Sequence, residues 1–201
     1  MKAGRVTGID PTGPLADNAE RIVRLRLEEL HGFVPAVLDP AEVEALHDMR
    51  IAAKRLRYVL EVTAEPCFGP YAAKAAKRAK DLQDLIGEIH DCDVALPRVR
   101  AEAQAAREAG AVALLARAGD AADVDPGLAA ELPRADEHRG LATLETYLTA
   151  RRRLLFERFL ELWRALEREG FRARLEYALA ERPTDGAITR LSPDDNVAPS
   201  G

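Results

Sequence analysis

Three stretches of this chain, 41–65, 71–96 and 134–182, contain no proline, while Pro11, Pro14, Pro35, Pro40, Pro66 and Pro70 crowd the first third. Proline is tolerated in the first turn of a helix and excluded from its interior, because the ring removes an N–H donor and clashes with the preceding turn. The clean stretches carry apolar residues at helical spacing rather than in alternation, and no segment reads as a strand. The pattern predicts an all-α chain: an antiparallel four-helix bundle with long helices and one long connection.

The first helix is expected from about Pro14 to Phe33, on Leu15, Ala19, Ile22, Val23, Leu27, Leu30 and Val34. The second follows Asp39-Pro40, read as a cap residue and an N1 proline, and ends near Thr63. The third runs from Pro70 to His90, with Asp93 capping a continuation to about Ala118. The fourth runs from Asp136 to Glu169 on Leu141, Leu144, Leu148, Leu155, Phe159, Leu162, Trp163 and Leu166. Gly170 interrupts it, and 171–181 continue as a short helix. Residues 119–135 form a loop. A helical domain over 14–181 is thus expected between a flexible tail at 1–13 and a disordered tail at 182–201.

Composition narrows the class further. At 201 residues the chain fits one domain with a real core, and 47% hydrophobic with 31% charged residues exclude a disordered or collagen-like polymer. No apolar run approaches the ~20 residues that span a bilayer, and the first residues lack an apolar h-region, so a cytoplasmic protein without membrane contact is expected. Cys67 and Cys92 are too few for a disulfide framework. A largely helical connection at ~1.5 Å per residue would separate them beyond disulfide reach. Neither has the CxxC or HxxxH partners of a zinc site, so no metal and no cofactor is expected.

The formal charge of −5 argues against a general polyanion binder until the charges are placed on the helices. In Leu46–Tyr58 (LHDMRIAAKRLRY), set His47 at 0° and advance about 100° per residue. Lys54 then falls near 340°, Arg50 near 300° and Arg57 near 280°, while Leu46, Met49, Ala53, Leu56 and Leu60 gather at about 180–260°. A His-Arg-Lys-Arg stripe about 15 Å long therefore runs beside the core-facing edge, not opposite it. Arg55 lies on another side. Solvated helix faces usually mix signs, yet residues 47–80 hold eight Lys/Arg and three acids. Acids dominate 120–137 instead. Arg26 falls within the apolar arc of the first helix, and Arg152, with Arg151 at its edge, on the core face of the fourth. A cation there must be paired or must reach a wet, charged cavity; pairing with Asp81, Asp84 or Glu88 and snorkelling are the plain explanations. Three helices sending cations to the core edge point to a site for an anion with phosphate-like oxygens.

The segment LHDMRIAAKRLRYVLE, followed by AKDLQDLIGEIHDCDVAL, resembles the CHAD family, the conserved-histidine α-helical domain. LETYLTARRRLLFERFLELW is similar to that family's closing helix. The resemblance spans roughly 14–170. It implies an all-α fold, binding of inorganic polyphosphate through a basic surface and association with polyphosphate granules. The matching positions are His47, Arg50, Lys54, Arg55 and Arg57, with Lys74, Lys77, Arg78 and Lys80 corresponding less closely. Arg26, Arg151 and Arg152 complete the expected polyphosphate-binding set. Family members usually carry two pseudo-symmetric copies of the His-Arg-Lys-Arg helix, and this chain carries one. It resembles half of a two-repeat domain, so either the site is half-sized or a homodimer restores it.

Other classes fare worse. Glu28–His31 and Glu44–His47 have the Glu-x-x-His spacing of di-iron bundles, but Glu28, His31 and Glu44 point away from the apolar arcs. No ExExK run of a triphosphatase occurs, so binding without catalysis is expected; His47 suits hydrogen bonding to phosphate more than acid–base work. His31, His90 and His138 are lone histidines with surface or structural roles. Nucleic acid offers the same backbone chemistry, but Tyr58 is the one aromatic within the stripe, which leaves no platform for bases. A helical protein-interaction module is the remaining alternative.

Overall fold

The computed structural model describes residues 3–131 and 135–181, so the expected tail 182–201 lies outside the described residues. Every regular element among them is helical, in the order α1 (Leu15–His31), α2 (Val43–Thr63), α3 (Pro70–Ala118), α4 (Ala135–Arg168) and α5 (Phe171–Ala180). Short 3₁₀ turns occur at Ala36–Leu38 and Pro126–Glu131.

Two compact units emerge. Among the described residues, one is built from the segment up to Asp84 together with 160–181, the other from the segment Leu85–Phe159. In the first, α1 buries Ala19, Val23, Leu27 and Leu30, while α2 buries Leu46, Met49, Ala52, Ala53, Leu56 and Leu60. The start of α3 brings Ala72, Ala75, Ala79 and Leu82, and the far end of α4 and α5 bring Trp163, Leu166, Leu175 and Leu179. In the second unit Ile86, Ile89, Cys92 and Leu96 are buried, as are Leu155, Phe156 and Phe159. Its ion pairs Glu88–Arg151 and Arg100–Glu145 join rising α3 positions to falling α4 positions. The two segments are therefore antiparallel. Both cysteines are buried, and they are not joined in a disulfide.

Two boundaries differ from the sequence expectation, and the connection between α2 and α3, whose ends fall as expected, takes a form the sequence did not indicate. Asp39-Pro40 does not open α2: the Asp39 carboxylate accepts the Ala41 N–H at 2.8 Å, closing an Asx turn, and the helix starts at Val43. After Thr63 the chain makes a wide π turn over Ala64–Phe68, closed by Gly69 N–H to Ala64 O at 2.8 Å. Gly69 then takes φ 79°, ψ −169°, a conformation open essentially to glycine alone, and Pro70 starts α3 at N1 as expected. Finally, α3 is continuous through Pro97 with no break at Asp93. The missing N–H costs one helical bond, but Leu96 before it and Ala103 and Ala106 after it are buried, and packing carries the helix through.

At the other end the expectation holds. Gly170 adopts φ 66°, ψ 39° between α4 and α5, with its N–H bonded to Glu167 O at 3.0 Å. An added Cβ would meet only Arg174 Cγ at 4.0 Å. Gly170→Ala should therefore cost about 1 kcal/mol of stability through backbone strain alone, readable as a lower urea midpoint.

Residues 3–13 form no helix but are tied to α1. The Gly4 N–H donates to Glu29 at 2.6 Å, and Asp10 and Asn18 exchange hydrogen bonds of 2.9 and 2.6 Å.

Candidate functional site

The basic stripe sits on α2 because burial of Leu46, Met49, Ala53, Leu56 and Leu60 orients that helix. His47, Arg50 and Arg57 are consequently half-buried at the edge of the core, and Lys54 is exposed. Arg55, off the stripe, is half-buried as well. Lys54 Nζ and Arg57 Cζ approach the Tyr58 ring at 5.6 and 4.6 Å from its centroid. Both cations thus contact one aromatic ring, which restrains them without a counter-charge of its own.

Arg57 lies 3.2 Å from the Glu61 carboxylate through Nε, an ion pair without an aligned hydrogen bond. Arg50 is different. Its Nε, like that of Arg57, is enclosed and finds no hydrogen-bond acceptor, but no carboxylate pairs with its guanidinium among the described residues. A half-buried guanidinium without a counter-charge is costly, and an anion at the stripe would supply one.

The three core-edge arginines on other helices have protein partners. Arg26, 12% exposed, meets Glu29 through two hydrogen bonds of 2.7 and 2.8 Å and donates to Gly4 O. Arg151 donates to Glu88 at 2.6 Å and contacts Cys92 Sγ at 3.6 Å. Arg152 is paired with Asp93. Pairing, one of the plain explanations open at the level of sequence, accounts for all three. Arg151 and Arg152 also belong to the second unit, whereas the stripe belongs to the first. On α3, Lys80 pairs with Asp84 at 2.6 Å. Lys74 and Lys77 are exposed and line a groove of about 380 Å³ with Tyr71, Arg78, Glu169 and Arg174. Tyr71, Glu169 and Arg174 were not singled out from the sequence; two of them lie more than 90 positions from Lys77, and no local signal joins them.

His31 sits elsewhere. Its ring centroid is 5.4 Å from Trp163 and 6.5 Å from Phe171, and Nδ1 hydrogen-bonds Leu27 O at 2.9 Å. This is a structural histidine, as expected. Burial holds its pKa below the ordinary 6.5, with Arg172 adding to the fall and the Leu27 bond, Glu176 and Glu167 opposing it. The unfolded chain therefore protonates first, so the stability contribution is intact above pH 6.5 and is lost as pH falls through the folded-state value. Replacing His31 with Phe should flatten the dependence of the urea midpoint on pH between neutral and mildly acidic conditions, relative to the unmodified chain.

Among the described residues no cluster of His, Cys, Asp and Glu could hold a metal ion, and no helix is long and apolar enough to cross a membrane. A family model described as the CHAD domain matches residues 5–100, which takes in α1, α2 and the first part of α3. Searches of the curated proteins and of the solved structures found no match.

Proposed function

We propose, from the premise that residues 5–100 belong to the CHAD domain family, that the chain captures inorganic polyphosphate, or a similar oligophosphate, on the α2 stripe and performs no chemistry on it. CHAD domains are known in polyphosphate-related proteins. The observation that carries the reading is Arg50: a half-buried cation with no carboxylate partner among the described residues, set between His47 and Lys54 on one helix edge. Phosphates repeat every few ångströms along an extended chain, so a stripe of about 15 Å meets several at once. Arg57 is a further contact once Glu61 is displaced, since so exposed a partner adds little. Binding is electrostatic, and it weakens steeply with salt as counterion release loses its drive.

Nucleic acid shares the backbone chemistry, but Tyr58 is the one aromatic within the stripe, so a run of bases meets no series of stacking partners there. Titration of the chain with polyphosphate, single-stranded DNA and RNA at matched phosphate concentration tests the reading. Polyphosphate should bind at least tenfold tighter than either nucleic acid, a margin of about 1.4 kcal/mol; equal affinity for RNA overturns the assignment. The single copy of the stripe helix further supports self-association, in which a two-fold axis brings two stripes together in the manner of a two-repeat domain. Light scattering of the free and polyphosphate-bound chain decides this: a monomer in both states excludes it. Association with polyphosphate granules follows from the same chemistry.

A further inference from the structure

The groove on the first unit has a composition the stripe lacks. Lys74 and Lys77 come from successive turns of α3, and Arg174 comes from α5. All three are exposed and have no carboxylate partner among the described residues. The Tyr71 phenol is half-buried against this cluster, and burial pushes its pKa up against the pull of the Arg174 and Arg78 charges. A neutral phenol O–H is a donor that suits a phosphate oxygen. The remaining wall is acidic. Glu169, in the turn between α4 and α5, holds Arg78 at 2.5 Å, and Asp81 lies one helical turn beyond Lys77.

We propose that this groove is a second anion site for a compact phosphate group, closed in the free protein by the Glu169 carboxylate. The ligand carboxylate is in effect already present: Glu169 occupies Arg78 as a tethered competitor. Both side chains of that pair are about 40% exposed, so the pair is weak and readily exchanged. A phosphate with two negative charges would meet Arg78, Lys74, Lys77 and Arg174 together and outcompete a single carboxylate. At about 380 Å³ the groove has room for a terminal phosphate or a free one. The inference takes its ligand chemistry from the polyphosphate reading, and it places the end of a chain, or orthophosphate, at a locus separate from α2.

Calorimetric titration at low salt, with orthophosphate, tripolyphosphate and long polyphosphate as probes, distinguishes the two loci. In a chain carrying Arg50→Gln and Lys54→Gln, tripolyphosphate binding should persist, since the groove is intact. Glu169→Gln should raise tripolyphosphate affinity about three- to tenfold, because Arg78 is released and a negative charge removed. Lys77→Glu with Arg174→Glu should lower it by about tenfold or more, with helical circular dichroism unchanged. Binding of tripolyphosphate without orthophosphate identifies a chain end as the occupant; equal enthalpy for both identifies free phosphate. Loss of tripolyphosphate binding in the stripe variant, or an unchanged affinity in Glu169→Gln, overturns the groove while leaving the stripe reading standing. Loss of long polyphosphate only in the groove variant would instead overturn the stripe.

Discussion

Charge reversal at two adjacent turns of α2, Arg50→Glu with Lys54→Glu, is expected to abolish polyphosphate binding while helical content stays the same. The two substitutions change the stripe by four units of charge, replacing its central contacts with repulsive ones. Affinity should fall by about a hundredfold or more in low salt, and the salt dependence of what remains should flatten, because fewer counterions are displaced. The fold should tolerate the change. Lys54 is exposed, Arg50 has no carboxylate partner to lose among the described residues, and glutamate is as good a helix former as lysine or arginine. The α2 core face of Leu46, Met49, Leu56 and Leu60 is untouched. A gel shift or calorimetric titration that still detects tight binding by a folded double variant removes the stripe as the site.

The largest effect on stability is expected at Asp93. Its carboxylate pairs with Arg152, and the two side chains are only 10% and 16% exposed. Asp93→Ala leaves a guanidinium in that setting without its counter-charge, which should cost about 3 kcal/mol by chemical denaturation. Removing both partners, as in Asp93→Leu with Arg152→Met, should recover most of the loss, since an apolar pair of similar bulk carries no stranded charge. The double-mutant cycle measures the coupling directly. The same double variant also tests the role of Arg152. An arginine already paired with Asp93 should add little to polyphosphate affinity, so binding should stay within about twofold of the unmodified chain. A tenfold loss would return Arg152 to the binding surface.

The residues that were legible in the sequence share a property: their position follows from local period. The helical wheel of α2 places Leu46, Met49, Ala53, Leu56 and Leu60 on one arc, and all five are buried. It places the basic residues beside that arc, and His47, Arg50 and Arg57 are half-buried there. Gly170 is a break because one αL residue ends a helix whatever surrounds it. Asp39-Pro40 misled for the complementary reason. An Asp-Pro pair suits both a cap and an Asx turn, and which one forms depends on where the buried face of α2 begins. Asp93 misled because capping propensity yields to packing: Ile89, Cys92 and Leu96 are buried on one continuous α3, and the expected break between His90 and Asp93 does not form.

The arginines mark the boundary between the two kinds of information. A wheel finds Arg26, Arg50 and Arg152 all at or near a core edge, and by that measure they are equivalent. Tertiary structure separates them. Arg26 has Glu29 one turn away and Gly4 folded back onto it, Arg152 has Asp93 on another helix, and Arg50 has an enclosed Nε with no acceptor. The groove of Tyr71, Lys77 and Arg174 is likewise invisible until α5 is brought beside α3. The sequence alone determined the all-helical architecture and the basic edge of α2, because period and chirality act within a few residues of one another. Which cations remain uncompensated was decided only by the tertiary structure, because a counter-charge is a matter of distance in space, and the carboxylates that neutralise Arg78, Arg151 and Arg152 lie about 60 to 90 positions away along the chain.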